Sequence, residues 1–482
     1  MDILLVNPRF NGAAEIPPLG LMYIAAPLTV QGYVVEILDL DLHRDGDAGR
    51  NELIERIAGG GPRILGVTAL SDSFAAAREV CQLAKETAPE ILTVLGGIHG
   101  TLLYADILAD HREIDAVVRG EGEESFPELC LAYFEGADLN GIAGVSYRRD
   151  GEIIHNPDRG LSPDLDALTM PDHRLVENNR YRTRSMASSR GCPHRCVFCS
   201  IRSLYRGAIR RRSPASLTAE IRDLQRQGAR RIMFTDDNFT ADARRVGELC
   251  DAIVAAGLHE RCEFYLQGRI DDFCRRPVMA QWLSDAGFKA VYTGAESGAE
   301  EILARYGKDI TPADLRRGVS CCVEQNLMPV VSFILFGPWD TVATMTKTIR
   351  LAKELFENGA DIAYTECLIP FPGTPVKEEL VRDGRWRQEA GAYYFTSYTG
   401  MDLDWVLRAC DLARRMAQAV HGGDPFFALR RVYHEFSFLE DILPRRVPPA
   451  YQQWLSTGQP DVNPAVVRDI ASALRGFIER DL

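Results

Sequence analysis

Residues 191–199 read Gly-Cys-Pro-His-Arg-Cys-Val-Phe-Cys, and this stretch constrains the fold more than any other part of the sequence. It places Cys192, Cys196 and Cys199 in a C-x3-C-x2-C array. Three thiolates at this spacing can hold three iron atoms of a [4Fe–4S] cube, which leaves the fourth iron without a protein ligand. Because an open iron can bind a substrate or cofactor, the array predicts chemistry at the metal and not only electron storage.

A zinc site is the alternative interpretation of these cysteines. Structural zinc sites take four nitrogen or sulfur ligands, often from two C-x2-C pairs. His194 is the nearby candidate for a fourth ligand, but it lies inside the same short loop, so we expect it to point away. The other nine of the twelve cysteines are scattered along the chain and are predicted to be small buried hydrophobic residues.

The length and composition exclude several classes of protein. A chain of 482 residues is too long for one ordinary core, so two or three domains are expected. The formal charge of −13 argues against a surface that coats nucleic acid. The first apolar run ends at Asn7-Pro8 without a basic segment before it, and no run approaches the roughly 20 apolar residues that span a bilayer. We therefore expect a cytoplasmic protein with no membrane or nucleic-acid partner.

Residues 1–138 alternate short apolar segments with amphipathic ones. This pattern predicts a doubly wound, Rossmann- or flavodoxin-like parallel sheet. The predicted strands are Ile3–Asn7, Val34–Asp39, Ile64–Thr68, Ile91–Leu95 and Ala116–Arg119. Sheets of this class bind ligands at the carboxyl ends of their strands, and several of those ends are rich in glycine here. We therefore expect a ligand site along that edge.

The rest of the chain divides into three predicted parts. Residues 139–182 are predicted to be a linker that contains a hairpin around Asp150-Gly151. Residues 183–375 alternate six strands with helices, which predicts a partial (β/α)6 barrel with functional loops at the strand carboxyl ends. Residues 376–482 are predicted to be a small α-helical domain. The predicted barrel strands are Ser185–Ser189, Arg231–Thr235, Glu263–Gln267, Ala290–Gly294, Val330–Phe336 and Ile362–Ile369.

Together with the β/α pattern, the cysteine array resembles the cluster motif of the radical S-adenosylmethionine superfamily. Phe198 matches the aromatic residue expected just before the third cysteine, and the resemblance covers residues 185–375. It implies a [4Fe–4S] cluster whose open iron binds the amino and carboxylate groups of S-adenosylmethionine. An electron from a donor such as flavodoxin or ferredoxin then cleaves the sulfonium, and the 5′-deoxyadenosyl radical abstracts hydrogen from an unactivated carbon.

The resemblance also implies which side chains bind S-adenosylmethionine. Carboxylates suit its methionine ammonium, and a planar guanidinium suits its carboxylate. The alternatives are structural, namely helix caps for the acidic residues and a salt bridge for the arginine. The run Arg210–Arg212 is interpreted as a solvated face. The implied residues are Phe198, Ser213, Asp236, Asp237, Asn238, Arg269 and Glu296.

Three N-terminal segments, Pro17–Leu21, Gly96–His99 and Gly120–Glu123, resemble the cobalamin-binding domain that precedes many radical S-adenosylmethionine barrels. Their glycines would let the backbone approach a large flat corrin. No histidine is assigned as a cobalt ligand, and His99 is interpreted as structural. The alternative is a retained scaffold whose pocket is empty or serves another purpose. The implied cobalamin contacts are Thr68, Ser71, Gly96, Gly97, Gly120, Glu121 and Gly122.

With cobalamin bound, the resemblance implies methylation at an unreactive carbon of a small natural product, such as a sugar, an aminoglycoside or another antibiotic precursor. The alternative is a cobalamin-independent radical dehydration or deoxygenation of a diol. A remote alternative is a non-enzymatic cobalamin or iron–sulfur sensor. Catalysis would need side chains that hold the substrate or protonate a leaving group. The candidates near predicted strand ends are Asp72, Glu121, Glu123, Tyr292, Tyr364 and Glu366.

Overall fold

A computed structural model describes residues 1–8, 16–43, 45–59, 61–176, 180–335, 337–340 and 342–384. The helical domain predicted for residues 376–482 lies outside this description beyond residue 384. The described residues form two α/β units, each built on a largely parallel sheet. This confirms the predicted fold class.

The first sheet contains seven strands in the order β2-β1-β3-β4-β5-β6-β7. Its strands are β1 (Ile3–Asn7), β2 (Val35–Asp39), β3 (Ile64–Thr68), β4 (Leu92–Gly96), β5 (Ala116–Val118), β6 (Val145–Arg149) and β7 (Glu152–His155). Its helices are α1 (Leu19–Val30), α2 (Gly46–Ala58), α3 (Phe74–Thr87), α4 (Gly97–Asp110) and α5 (Gly122–Glu135). The first five strands are parallel and follow the flavodoxin-like order, which places the ligand crevice outside the carboxyl ends of the strands.

The doubly wound arrangement follows from strands that are apolar on both faces. Along β1, Leu4 and Val6 pack with the helices α2, α3 and α4. The alternate residues Ile3 and Leu5 pack with α1 and α5 on the opposite face. Because side chains alternate along a strand, an unbroken apolar run needs a helical layer on each face.

The predicted hairpin is present and extends the first sheet. Asp150 and Gly151 have φ angles of +52° and +85°, as a tight two-residue turn between antiparallel strands requires. β6 and β7 pair with each other, and β6 also pairs antiparallel with β5. The interval expected to be a connection therefore supplies two strands of the first sheet.

The second sheet contains six parallel strands in the order β15-β14-β13-β12-β11-β8. A two-stranded ribbon of β9 and β10 lies beside the first strand. The strands are β8 (Arg184–Met186), β9 (Ser189–Arg190), β10 (Arg210–Arg211), β11 (Arg231–Phe234), β12 (Glu263–Gln267), β13 (Phe288–Glu296), β14 (Met328–Leu335) and β15 (Asp361–Cys367). The helices are α6 (Ile201–Tyr205), α7 (Pro214–Arg226), α8 (Ala243–Ala255), α9 (Ile270–Arg275), α10 (Val278–Asp285), α11 (Glu300–Arg305), α12 (Pro312–Glu324), α13 (Val342–Glu357) and α14 (Pro375–Arg382).

An aromatic cluster fills the core of the second unit. Phe234, Phe239, Phe264 and Phe288 are fully buried, with ring centroids 5.1–6.0 Å apart. Phe234 contacts the other three rings. Large buried rings dominate the energetics of such a core, so the cluster holds the strands that carry the functional loops.

We expect Phe234→Ala to lower the free energy of unfolding of the barrel by about 3–5 kcal/mol, because it leaves a cavity among three rings. Urea titration followed by circular dichroism measures the change. The control is Val254→Ala on α8, where the side chain is 41% exposed and the change should stay within about 0.5 kcal/mol. Equal effects of the two variants would contradict the assignment of Phe234 to the core.

Candidate active site

The cysteine loop follows β9 of the two-stranded ribbon and is anchored by its own backbone. The Gly191 N–H donates to Asp237 Oδ2 at 2.7 Å. Gly191 has a φ angle of +93°, and a Cβ there would lie 1.9 Å from the Ala208 carbonyl oxygen, so only glycine fits. Farther along, the Val197 N–H donates to the Tyr306 carbonyl and the Val197 carbonyl accepts from the Val376 N–H. The loop is therefore fixed by elements from both ends of the barrel.

The three cysteine thiols lie in one half-buried environment. Burial raises the pKa of the Cys192 thiol. Burial, together with the charges of Cys196 and Cys192, raises the pKa of the Cys199 thiol to about 11. Three neighbouring thiolates that disfavour one another need a cation among them, and iron supplies one.

The alternative zinc site was also tested against this geometry. Within the described ranges, no group of three or more His, Cys, Asp or Glu side chains is placed to hold a single metal ion. Burial, with a contribution from Arg269, lowers the pKa of His194 to about 4. A [4Fe–4S] cluster binds its thiolates through separate iron atoms, so it does not need three side chains placed around a single ion.

The acidic segment after β11 divides into three roles. Asp236 is buried and accepts hydrogen bonds from the backbone and hydroxyl of Ser188 and from the hydroxyl of Ser189. Asp237 anchors Gly191, and burial raises its pKa to about 6. Asn238 is buried, and its Nδ2 has no hydrogen-bond partner among the described residues. An orphaned amide donor of this kind suits a ligand that brings its own acceptor.

Glu296 and Lys308 form a buried ion pair at the end of β13. Lys308 Nζ lies 2.6 Å from Glu296 Oε1. Glu296 has a φ angle of +63°, which is unusual for a residue with a side chain, and it lies at a bulge between β13 and β14. Its carboxylate folds back over Gly294, where a Cβ would lie 2.1 Å from Oε1. Glu296 was predicted from the sequence, whereas Lys308, which lies twelve positions later, was not.

Arg269 follows β12 and reaches the cysteine loop. Its Nε and Nη2 donate to Asp271, and Nη2 also donates to the Lys308 carbonyl. Its Nη1 lies 3.9 Å from Cys196 Sγ. The salt bridge that was an alternative for Arg269 is therefore present, and the guanidinium also contacts a predicted cluster ligand.

Two other predicted S-adenosylmethionine contacts have structural partners. Phe198 packs edge-on against Tyr306, with ring centroids 5.3 Å apart. The Ser213 hydroxyl accepts from the Ser216 N–H and begins helix α7 as its N-cap. Ser213 therefore acts as a helix cap in this structure, and Phe198 orders the wall beside the cysteine loop.

A cleft of about 330 Å³ opens at the carboxyl ends of the first sheet. This volume lies at the lower end of the roughly 300–1,000 Å³ that small-molecule ligand pockets span. A Cβ added at Gly96 or Gly120 would meet nothing within 4 Å, so both positions border open space. Six of the seven predicted cobalamin contacts line the cleft: Thr68, Gly96, Gly97, Gly120, Glu121 and Gly122.

The second unit closes the other side of this cleft. Ser189, Arg190, Tyr205 and Asp237 line it, and all four lie near the anchored end of the cysteine loop. A group bound in the cleft therefore faces the strand ends from which the cysteines emerge. This juxtaposition of two sites is the main functional feature of the described structure.

Ion pairs join the two units at the rim of the cleft. Arg190 pairs with both Glu121 and Glu123, and Arg210 pairs with Glu121 through both of its terminal nitrogens. Burial alone would raise the pKa of Glu121, but hydrogen bonds from Arg210 and Arg190 hold that pKa below its usual value. The candidate catalytic residues Glu121 and Glu123 are thus held in a structural network.

The run Arg210–Arg212 was predicted to be a solvated face, but two of its three arginines are largely buried and form ion pairs. Arg212 pairs with the buried carboxylate of Glu220 and donates to the Tyr23 hydroxyl. His173 Nε2 lies 2.9 Å from the other oxygen of Glu220. The prediction of a solvated face was therefore wrong for Arg210 and Arg212. The carboxylate partner of Arg210 is distant in sequence, and that of Arg212 lies on the helix that follows, α7.

The remaining candidates lie away from the cleft or outside the description. Ser71 is buried and hydrogen-bonded to Nδ1 of His99 at 3.0 Å, so it does not line the cleft. Asp72 is exposed before α3, and Tyr292 is half-buried on β13. Tyr364 and Glu366 belong to β15, but their side chains lie outside the described residues.

One histidine motif was overlooked in the sequence. Residues 41–46 have the Asp-x-His-x-x-Gly spacing that can mark a histidine ligand of cobalt. In the structure this segment follows β2, and Nε2 of His43 lies 3.1 Å from Glu52. His43 is not among the described residues that line the cleft. Its position gives no support to a cobalt ligand.

Comparisons with known proteins agree with the two-unit arrangement. Residues 10–130 match the B12 binding domain, and residues 186–352 match the radical SAM superfamily. The chain is 31% identical to an uncharacterized methyltransferase of Pyrococcus horikoshii, over 80% of this chain and 86% of that protein. The chain belongs to the radical SAM superfamily, in the branch that carries an N-terminal B12-binding domain. The predicted family is confirmed.

Two further proteins resemble this chain, one in sequence and one in structure. An anaerobic magnesium-protoporphyrin IX monomethyl ester cyclase of Rubrivivax gelatinosus is 29% identical, over 79% of this chain and 70% of that protein. The fold matches the radical S-adenosylmethionine methyltransferase TsrM of Kitasatospora setae with a TM-score of 0.68 and 24% identity, over 81% of this chain and 80% of that one. The chain is thus a radical SAM enzyme. Among the described helices, none has the length and apolarity that a membrane crossing requires.

We expect Asp237→Ala to lower the iron content after anaerobic reconstitution severalfold, because the Gly191 N–H loses its acceptor and the cysteine loop loosens. Asp237→Asn keeps an acceptor oxygen and should retain most of the iron. Iron and acid-labile sulfide assays measure both variants. Full iron loading in Asp237→Ala would show that this hydrogen bond does not order the loop.

Proposed function

We propose that this radical SAM enzyme transfers a methyl group to an unreactive carbon of a small natural product and uses cobalamin as the methyl carrier. The observation that carries the proposal is the shared cleft. Its floor comes from the carboxyl ends of the first sheet, and its far wall comes from residues beside the cysteine loop. A substrate between the two sites would lie within reach of both, as a reaction that uses both cofactors requires.

The cleft fits a corrin in shape and chemistry. Gly96 and Gly120 border open space, so backbone and ligand can approach closely. Leu21, Leu95 and Phe126 contribute apolar surface that suits a flat macrocycle. No histidine is found among the described residues lining the cleft, so a cobalamin there would bind without a histidine ligand.

The cysteine side of the cleft fits the cluster and S-adenosylmethionine. Cys192, Cys196 and Cys199 would hold the cluster, whose open iron supplies reductive cleavage of S-adenosylmethionine when the cofactors are bound. The orphaned Nδ2 of Asn238 is available to a polar ligand, whereas the buried carboxylate of Glu296 is already paired with Lys308. Both Asn238 and Glu296 are buried.

The dehydration alternative receives less support. It calls for a carboxylate that is free to protonate a leaving hydroxyl. Glu121 and Glu123 are instead paired with arginines, and these pairs keep Glu121 ionised. A sugar, aminoglycoside or other antibiotic precursor as substrate, a flavodoxin or ferredoxin as electron donor, and a cytoplasmic location stay predictions.

The domain boundaries drawn from the sequence are part of the same proposal. They assign 1–138 to the cobalamin unit, 139–182 to the linker, 183–375 to the barrel and 376–482 to the helical region. The β6–β7 hairpin of the linker is docked on the first sheet. That docking supports a linker that fixes the first unit rather than one that tethers it loosely.

The decisive experiment is turnover with isotopically labelled S-adenosylmethionine. Reconstituted enzyme, cobalamin, a one-electron reductant and candidate substrates are incubated anaerobically, and products are analysed by mass spectrometry. We expect a product that has gained the mass of one CH2 group and carries the label. A product that has lost the mass of water, without label, would favour dehydration instead.

We expect Gly96→Val to reduce cobalamin binding at least tenfold while the protein stays folded. The new side chain would project from the strand end into the cleft, and the extended backbone at Gly96 tolerates a branched residue. Equilibrium titration with hydroxocobalamin, followed by visible absorption, measures the affinity. Gly160→Val, at an exposed glycine outside the cleft, is the matched control and should bind normally. Normal binding in both variants would place the corrin elsewhere.

A further inference from the structure

We infer that Arg269 tunes the reduction potential of the cluster by donating a hydrogen bond to the Cys196 sulfur. The inference rests on the proposed cluster site. Nη1 of Arg269 lies 3.9 Å from Cys196 Sγ, a distance at which an N–H group can donate to sulfur. Arg269 therefore acts on the cluster through the Cys196 sulfur, which makes it a positioning residue and not a catalytic one. This role differs from binding the carboxylate of S-adenosylmethionine, which the sequence motif implied.

The guanidinium of Arg269 is held in place on its other edges. Nε donates to Asp271 Oδ1 at 2.9 Å, and Nη2 donates to Asp271 Oδ2 and to the Lys308 carbonyl. The Arg269 backbone N–H donates to the hydroxyl of Thr240. Because the guanidinium is planar, these contacts leave Nη1 directed at the cysteine loop.

Burial makes this contact electrostatically effective. Arg269 is 7% exposed and Asp271 is 3% exposed, so little water screens the guanidinium. Lys308 adds a second cation nearby, and its own charge is balanced by Glu296. Arg269 shares Asp271 with the exposed Arg275, so its charge is only partly neutralised within the buried region.

The expected effect follows from the charge that reduction adds. One electron from an external one-electron donor enters the oxidised cluster, which becomes more negative by one charge while no bond is broken. Hydrogen bonds to the cluster sulfurs and the net charge nearby are two of the factors that set the potential of such clusters. Arg269 stabilises the reduced form more than the oxidised form, so it raises the midpoint potential.

The test is a redox titration of the reconstituted cluster, monitored by electron paramagnetic resonance without S-adenosylmethionine. For Arg269→Gln we expect the ratio of reduced to oxidised cluster at a fixed potential to fall about tenfold. That change corresponds to a midpoint potential lower by about 59 mV for a one-electron couple. Omitting S-adenosylmethionine matters because a carboxylate-binding role would change its affinity and leave this potential unmoved.

The matched control is Arg275→Gln. Arg275 pairs with Oδ2 of Asp271, and its side chain is 58% exposed. The variant removes the same unit of charge without removing a donor to sulfur, so the potential should stay close to that of the wild type. An equal shift in both variants would overturn the inference, because it would reveal a general charge effect.

A second variant covers the case in which Arg269→Gln does not assemble a cluster. Arg269→Lys keeps the positive charge but loses the planar fork, and we expect a smaller shift in the same direction. An unchanged potential in any Arg269 variant that carries a full cluster refutes the inference. Wild-type protein that forms no cluster would instead refute the proposed function, so the two failures are distinguishable.

Discussion

The ion pairs of Glu121 with Arg190 and Arg210 hold the carboxyl ends of two parallel sheets against each other. All three side chains are about nine-tenths buried, so removing Glu121 would leave the buried charge of Arg210 without its carboxylate, at a cost of about 3–5 kcal/mol. Each sheet binds ligands at that edge by virtue of its topology. These ion pairs therefore join the two ligand-binding edges into one shared cleft. The ion pairs hold the two sides of the cleft together with other contacts, such as the hydrogen bond from the Ser185 hydroxyl to the Pro17 carbonyl.

A second constraint operates inside the barrel, where strain and charge are combined at one residue. Glu296 adopts a left-handed backbone conformation, which costs on the order of 1–3 kcal/mol and persists only when the surroundings impose it. The bulge between β13 and β14 imposes it here, and the side chain turns back over Gly294 toward Lys308. The result is a carboxylate held in a buried position before any ligand arrives. Such preorganisation lowers the entropic cost of binding.

Much of the architecture could be predicted because it depends on local patterns. The apolar run of β1 predicts a strand buried on both faces, and Asp150-Gly151 predicts the hairpin turn. The partners of polar side chains could not be predicted in the same way. Arg210 reads as part of a solvated run, yet it contacts Glu121 from another unit, 89 positions away. Ser71 carries a polar hydroxyl at a strand end, but this hydroxyl is buried and forms a hydrogen bond with His99. These outcomes depend on tertiary packing, which no spacing rule contains.

The charges that line the cleft explain why it suits a large cofactor better than a small ion. Arg190 is matched by Glu121 and Glu123. Burial raises the pKa of Asp237 to about 6, and its carboxylate accepts a hydrogen bond from the Gly191 N–H. Paired charges contribute polarity without a strong net field. What remains is apolar surface and backbone exposed at glycines, which favours a broad, amide-fringed ring over a compact phosphate. The cleft thus offers mainly apolar contact to a ligand, and the cysteine loop lies beside it.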